Sequence, residues 1–182
     1  MPPAIRGLVA AMLVALLVPA ARAEESVEET AREALAICRG VGELPVEQRL
    51  ARLEEGLAMA ERATLDDPTS AVAQYAAFCN RGKRLQIVGF TFGALSELRL
   101  LRREIDRALE LAPDWPAALA GKGAMLVAIP RLLGGDVAEG ERLLRRALML
   151  DPENAEARAM LSELERDAAA AGQAIAQVGF LN

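Results

Sequence analysis

Histidine is absent from the 182-residue chain. That removes Ser-His-Asp and Cys-His catalysis, histidine-ligated zinc and covalently attached c-type haem in one step. Aromatic residues make up only 3% of the sequence, and alanine and leucine supply most of its apolar content. Such a composition, with few β-branched runs, favours helices that pack closely. No stretch sustains period-two alternation, so no strand is expected. An excess of positive charge is also missing. The chain holds 21 basic and 26 acidic residues, which argues against general binding of nucleic acid or anionic lipid. The glycine-lysine segments Gly121-Lys122-Gly123 and Gly82-Lys83-Arg84 are not phosphate loops, because the required upstream glycine is Pro116 in one case and Ala77 in the other. Carboxylate pairs such as Glu54-Glu55 and Asp66-Asp67 are neighbours in sequence and read as solvated helix or turn. Nothing here proposes an enzyme, a metal site or a cofactor.

Long apolar runs are scarce too. The longest, residues 8–20, spans 13 residues behind Arg6 and is followed by Ala21-Arg22-Ala23. This is the pattern of a secretory signal peptide, residues 1–23, with cleavage expected after Ala23. Thirteen residues rise about 20 Å as a helix, short of the roughly 30 Å hydrocarbon core, so stable membrane insertion after cleavage is not expected. The expected location is the periplasm or the exterior. Loss of Arg6 and Arg22 leaves 19 basic against 26 acidic residues, net −7.

Seven helices are predicted from periodicity and caps. The first opens at a capping box, Ser26 to Glu29, and runs to about Arg39 with Gly40 as its stop. The second follows Pro45 and ends near Asp66; the third is capped by Ser70 and reaches about Arg81. The fourth carries Leu98, Leu101, Ile105 and Ala108 on one stripe and ends near Leu111. Asp114 caps the fifth, to about Leu133. Asp136 caps the sixth, to Leu150, and Asn154 the seventh, to about Ala171. Residues 82–93 read as neither helix nor strand. Residues 24–173 are expected to form the helical domain, and residues 174–182 an apolar tail.

An internal repeat emerges at the helix ends. Residues 62–68 read RATLDDP, 107–113 read RALELAP and 146–152 read RALMLDP. Ala63, Ala108 and Ala147 are the small residues, Pro68, Pro113 and Pro152 the breakers, and Ala73, Ala118 and Ala157 each lie five residues further on. A proline cannot continue its helix, and a small residue lets the next helix approach. One hairpin cannot bury its apolar face alone, so neighbours must stack.

These junctions resemble those of tetratricopeptide repeats (TPR). The family's small residue falls on Ala63, Ala108 and Ala147, and its terminal proline on Pro68, Pro113 and Pro152. The resemblance implies an all-α fold: a right-handed superhelical array of about three TPR-like hairpins plus a C-terminal capping helix. It also implies a non-catalytic scaffold for protein–protein interaction or assembly, whose partner is a protein, a peptide or a second copy of itself. A narrower likeness lies at residues 130–136, PRLLGGD, which is similar to a turn in the T-component of tripartite (TRAP-type) periplasmic transporters. There Gly134 and Gly135 are expected to take positive φ and Asp136 to cap the next helix. That likeness implies an alternative role as an accessory component of solute uptake, binding a small ligand.

Within the repeat frame, Cys38 and Cys79 fall late in parallel first helices. They read either as a disulfide of the oxidising compartment or as two small buried apolar residues. Tyr75, Phe78, Arg81 and Lys122 are the candidate partner groove, core packing being the competing reading for the two aromatics. Two basic clusters, Arg81, Lys83 and Arg84, then Arg99, Arg102 and Arg103, flank Phe90 and Phe92. They read as an anion or partner site, or as ion pairs with Glu97 and Glu104.

Overall fold

Apolar residues three and four positions apart can share one buried surface only on a helix, and a helix forms at each such run. The computed structural model of the chain describes residues 25–89 and 93–179. The predicted signal segment, Phe90, Phe92 and the last three residues lie outside them. Among the described residues there are seven α-helices and no strand, so the chain is all-α. None of these helices is long and apolar enough to cross a membrane. They are α1 (25–40), α2 (Val46–Asp66), α3 (Ala71–Val88), α4 (Ala94–Leu111), α5 (Pro116–Ala128), α6 (Val137–Leu150) and α7 (Ala155–Gly179). They divide into two compact units between Leu111 and Ala112.

In the first unit α1 and α3 run parallel. Ser70 donates to Glu28 at 3.0 Å, Ala31 packs with Ala73, and Cys38 meets Cys79. Helix α2 runs antiparallel to both: Ala63, near its end, joins the Ala31–Ala73 cluster, and Gly56 lies against Ile37 and Asn80. Helix α4 returns antiparallel to α3, setting Glu104 on Arg81 and Glu97 on Arg84.

In the second unit α5 and α6 form an antiparallel hairpin whose backbones touch. A Cβ on Gly123 would come within 2.9 Å of the Gly140 carbonyl, and one on Gly140 within 2.8 Å of the Gly123 carbonyl. Two glycines inside helices each cost about 1 kcal/mol in propensity, offset here by the close contact they permit. Helix α7 packs on both α5 and α6.

Several boundaries differ from the sequence reading. Ser26 lies inside α1 rather than before it, so it does not cap that helix. Helix α1 ends at Gly40 as expected, but Gly40 keeps a right-handed helical backbone at φ −82° rather than a left-handed one, and a 3-10 turn, Val41–Glu43, follows directly. Arg49 closes this connection by donating to the carbonyls of Leu44 and Gly42, both at 2.9 Å. Helix α3 extends to Val88, because Lys83 and Arg84 have partners on helices rather than in a loop. Helix α5 ends early, at Ala128, since Pro130 cannot supply the next amide. Helix α7 continues through alanines to Gly179.

Candidate functional site

Three junctions were expected to be equivalent, and their hydrogen bonds are. The amides of Ser70, Trp115 and Asn154 donate to the carbonyls of Asp67, Ala112 and Asp151 at 3.3, 3.2 and 3.1 Å. Each carbonyl precedes its proline, so each proline sits in the same tight turn. The outer two agree further. Asp67 stands at φ −138°, ψ 95° and Asp151 at φ −139°, ψ 91°. Ser70 Oγ accepts from the Ala73 amide at 3.1 Å, and Asn154 Oδ1 from the Ala157 amide at 3.0 Å. Asp67 Oδ1 also accepts from the amide and hydroxyl of Thr69, which holds its carboxyl below the usual range. At the middle junction Asp114 does not cap; Trp115 is the N-cap residue, with no side-chain capping bond to the helix, and Asp114 pairs with Arg146. Ala63, Ala108 and Ala147 are all buried, as are Ala73, Ala118 and Ala157.

The turn at Pro130–Asp136 works differently from expectation at one residue. Gly134 is left-handed, at φ 86°, and Asp136 accepts from the Glu139 amide at 3.1 Å. Gly135 has no positive φ. It is glycine for space: a Cβ there would sit 1.7 Å from the Ile129 carbonyl oxygen.

Cys38 and Cys79 form a disulfide with Cα atoms 6.0 Å apart. Two more bonds tie the same helices. Asn80 Nδ2 donates to the Ala34 carbonyl at 2.9 Å, and Lys83 Nζ to the Cys38 carbonyl at 2.8 Å. Asn80 is wholly buried, and its Oδ1 has no hydrogen-bond partner among the described residues. A Cβ at Gly56 would lie 2.5 Å from that oxygen, so no ligand fits beside it.

The candidate groove residues Tyr75, Phe78 and Arg81 do not line an open groove. Tyr75 and Phe78 are buried and stack on each other, ring centroids 5.9 Å apart. Arg81 is 4% exposed and donates to Glu104 at 2.9 Å, Glu97 at 3.0 Å and Glu61 at 2.6 Å. Burial opposes its charge, but the three carboxylates outweigh burial and raise its pKa. Burial lifts the Glu104 carboxyl above its ordinary range, and Arg81 offsets only part of that. Burial lifts Glu97 too, but there Arg81 and Arg84 prevail and hold it below its ordinary range. A cation so enclosed is a structural tie of α2, α3 and α4 rather than an anion site. Arg99 and Arg103 are exposed on α4, and Lys122 is half-buried in the second unit.

Sequence reasoning missed the groove that the second unit does hold. Between α6 and α7 lies an open trough of about 540 Å³. Leu148, Met149 and Leu161 supply its apolar surface and Arg145, Arg158 and Glu165 its charge. Met149 is 77% exposed, but Leu65 at the same place in the first repeat end is 78% exposed, so residue type there gave no distinguishing signal. No group of acidic residues or cysteines able to hold a metal ion occurs among the described residues. The chain matches no model of a known protein family and no curated protein.

Proposed function

We propose that this chain is an exported, non-catalytic scaffold of TPR-like hairpins that holds a protein partner in the periplasm. The observation that carries the reading is the α6–α7 trough. It joins exposed apolar surface to walls of both charges, the composition of a protein-recognition patch. The repeated junctions support it from another side, because such hairpins spend their apolar residues on one another and leave faces for binding. The buried Arg81 cluster and the Tyr75–Phe78 stack support it too, since they assign the most reactive-looking residues to the core.

The test is affinity capture of the mature chain from periplasmic extract, with photo-crosslinkers at exposed positions of each unit and mass measurement of the purified protein. A single protein crosslinked from one face supports the scaffold. A chain that captures no protein but carries a small molecule overturns it in favour of a solute-uptake accessory.

A further inference from the structure

Singly exposed apolar side chains are ordinary on a protein surface; several crowded at one end of a hairpin are not. Helices α3 and α4 are pinned near their shared end by Arg84 on Glu97 at 2.9 Å. Beyond that bond Ile87 and Val88 finish α3 and Leu95 lies in the first turn of α4, exposed by 44%, 44% and 55%. In sequence the twelve residues 85–96 carry no charge. Phe90 and Phe92 fall among them but lie outside the described residues, and the surface is made of the residues on either side. Behind this apolar end the charge is basic. Residues 81–107 hold seven arginines and lysines against three acids, in a chain whose net charge is −5. Glu97 and Glu104 are held by Arg81 and Arg84 within the helix packing. Arg99 and Arg103 are exposed, and neither pairs with a carboxylate among the described residues. Leu95, Arg99 and Arg103 follow at spacings of four, so they share a face of α4 away from the buried Leu98, Leu101 and Ile105. Glu43 and Glu47 stand at the head of α2, and α3 lies between α2 and α4.

We propose that the α3–α4 end is a docking surface for an anionic phospholipid bilayer. Ile87, Val88 and Leu95 enter the acyl boundary, and Arg99 and Arg103 meet headgroup phosphates. The two layers are matched in depth: Arg99 stands about 6 Å along the helix axis from Leu95, and interfacial apolar side chains enter a bilayer by about 5–10 Å. An acidic protein groove would engage the arginines and leave the uncharged end unused. The docking is peripheral, since no described helix can cross the membrane. The acidic remainder of the chain is repelled by the same bilayer and turns this end toward it. Overall charge therefore opposes general lipid binding and still permits docking by one end. This surface is on the first unit and the partner trough on the second, so either can fail without the other.

The experiment is flotation of the full mature chain with vesicles of phosphatidylcholine, alone or with about one third phosphatidylglycerol. Binding is expected only where phosphatidylglycerol is present, and raised salt should weaken it. Arg99→Gln combined with Arg103→Gln should bind about thirtyfold more weakly, two cationic contacts being lost. Leu95→Ser should weaken binding as well, and neither variant should change the melting temperature. Leu95→Trp sets a reporter in the apolar end. Its added emission should shift to the blue on vesicles and be quenched by lipids brominated high in the acyl chain. Flotation with neither vesicle, equal flotation with both, or indifference to residues 99 and 103 overturns the proposal. So does a Leu95→Trp emission that brominated lipid leaves untouched. Capture of an acidic protein by a photo-crosslinker at residue 99 in periplasmic extract, in place of lipid, overturns it too.

Discussion

The two units begin from the same junction and are fastened in different ways. The first is held by covalent and ionic ties: the Cys38–Cys79 disulfide, the Asn80 and Lys83 bonds to α1, and Arg81 among three carboxylates. The second holds no cysteine, and its tie of this kind is an exposed one, Arg146 of α6 on Asp114 before α5. It relies on backbone contact at Gly123 and Gly140 and on the Gly134–Gly135 turn. Enclosing Arg81 requires a fourth helix to supply Glu97 and Glu104. At the matching place in α7, counted from Pro152 as Arg81 is from Pro68, stands Glu165, exposed in the α6–α7 trough.

The comparison can be broken at its fasteners. The largest effect should come from replacing Cys38 and Cys79 by serine. The bond joins residues 41 apart in sequence, and freeing a loop of that size costs about 4 kcal/mol in the chain-entropy model. Denaturant unfolding of the mature chain, oxidised and reduced, measures it. The loss should fall on α1–α3, with protection of α5 and α6 unchanged. Next, Arg81→Met leaves the well-shielded Glu104 carboxylate without its cation, while Glu97 keeps Arg84, and should cost about 3 kcal/mol. Adding Glu104→Gln should recover part of that, as a double-mutant cycle would show.

In the second unit, Gly135→Ala forces a methyl against the Ile129 carbonyl and should cost about 2 kcal/mol. Gly134→Ala, which meets left-handed backbone instead of a clash, should cost about 1 kcal/mol. Smallest and most alike are the caps. Ser70→Ala and Asn154→Ala should each lose about 1 kcal/mol, and a clear inequality would mean that the two junctions are not the same element.

Most of the fold was legible because it depends on local signals. Prolines, caps and apolar spacing located α2, α4 and α6 to within a residue or two, and the parallel placement of α1 and α3 gave the cysteines a reason to meet. What the sequence hid depends on tertiary partners. Residues 82–88 read as neither helix nor strand, opening on Gly82 and two basic residues, yet they are helical since Lys83 and Arg84 bond to α1 and α4. Tyr75, Phe78 and Arg81 read from the sequence either as partner anchors or as core and ion pairs with Glu97 and Glu104, and the second reading holds, because type alone does not reveal what covers a residue. Gly123 and Gly140 gave a faint sign, being poor helix formers inside helical patterns. The trough gave almost none, because it depends on how α6 and α7 pack rather than on any local signal.

Amide hydrogen exchange along α3 and α7 tests that difference most directly. Residues 78–87, beside α4, should exchange slowly, and the matching residues 162–171 should exchange much faster in the isolated mature chain. Equal protection of the two segments before any partner is added would contradict the account, because the trough would then already be closed.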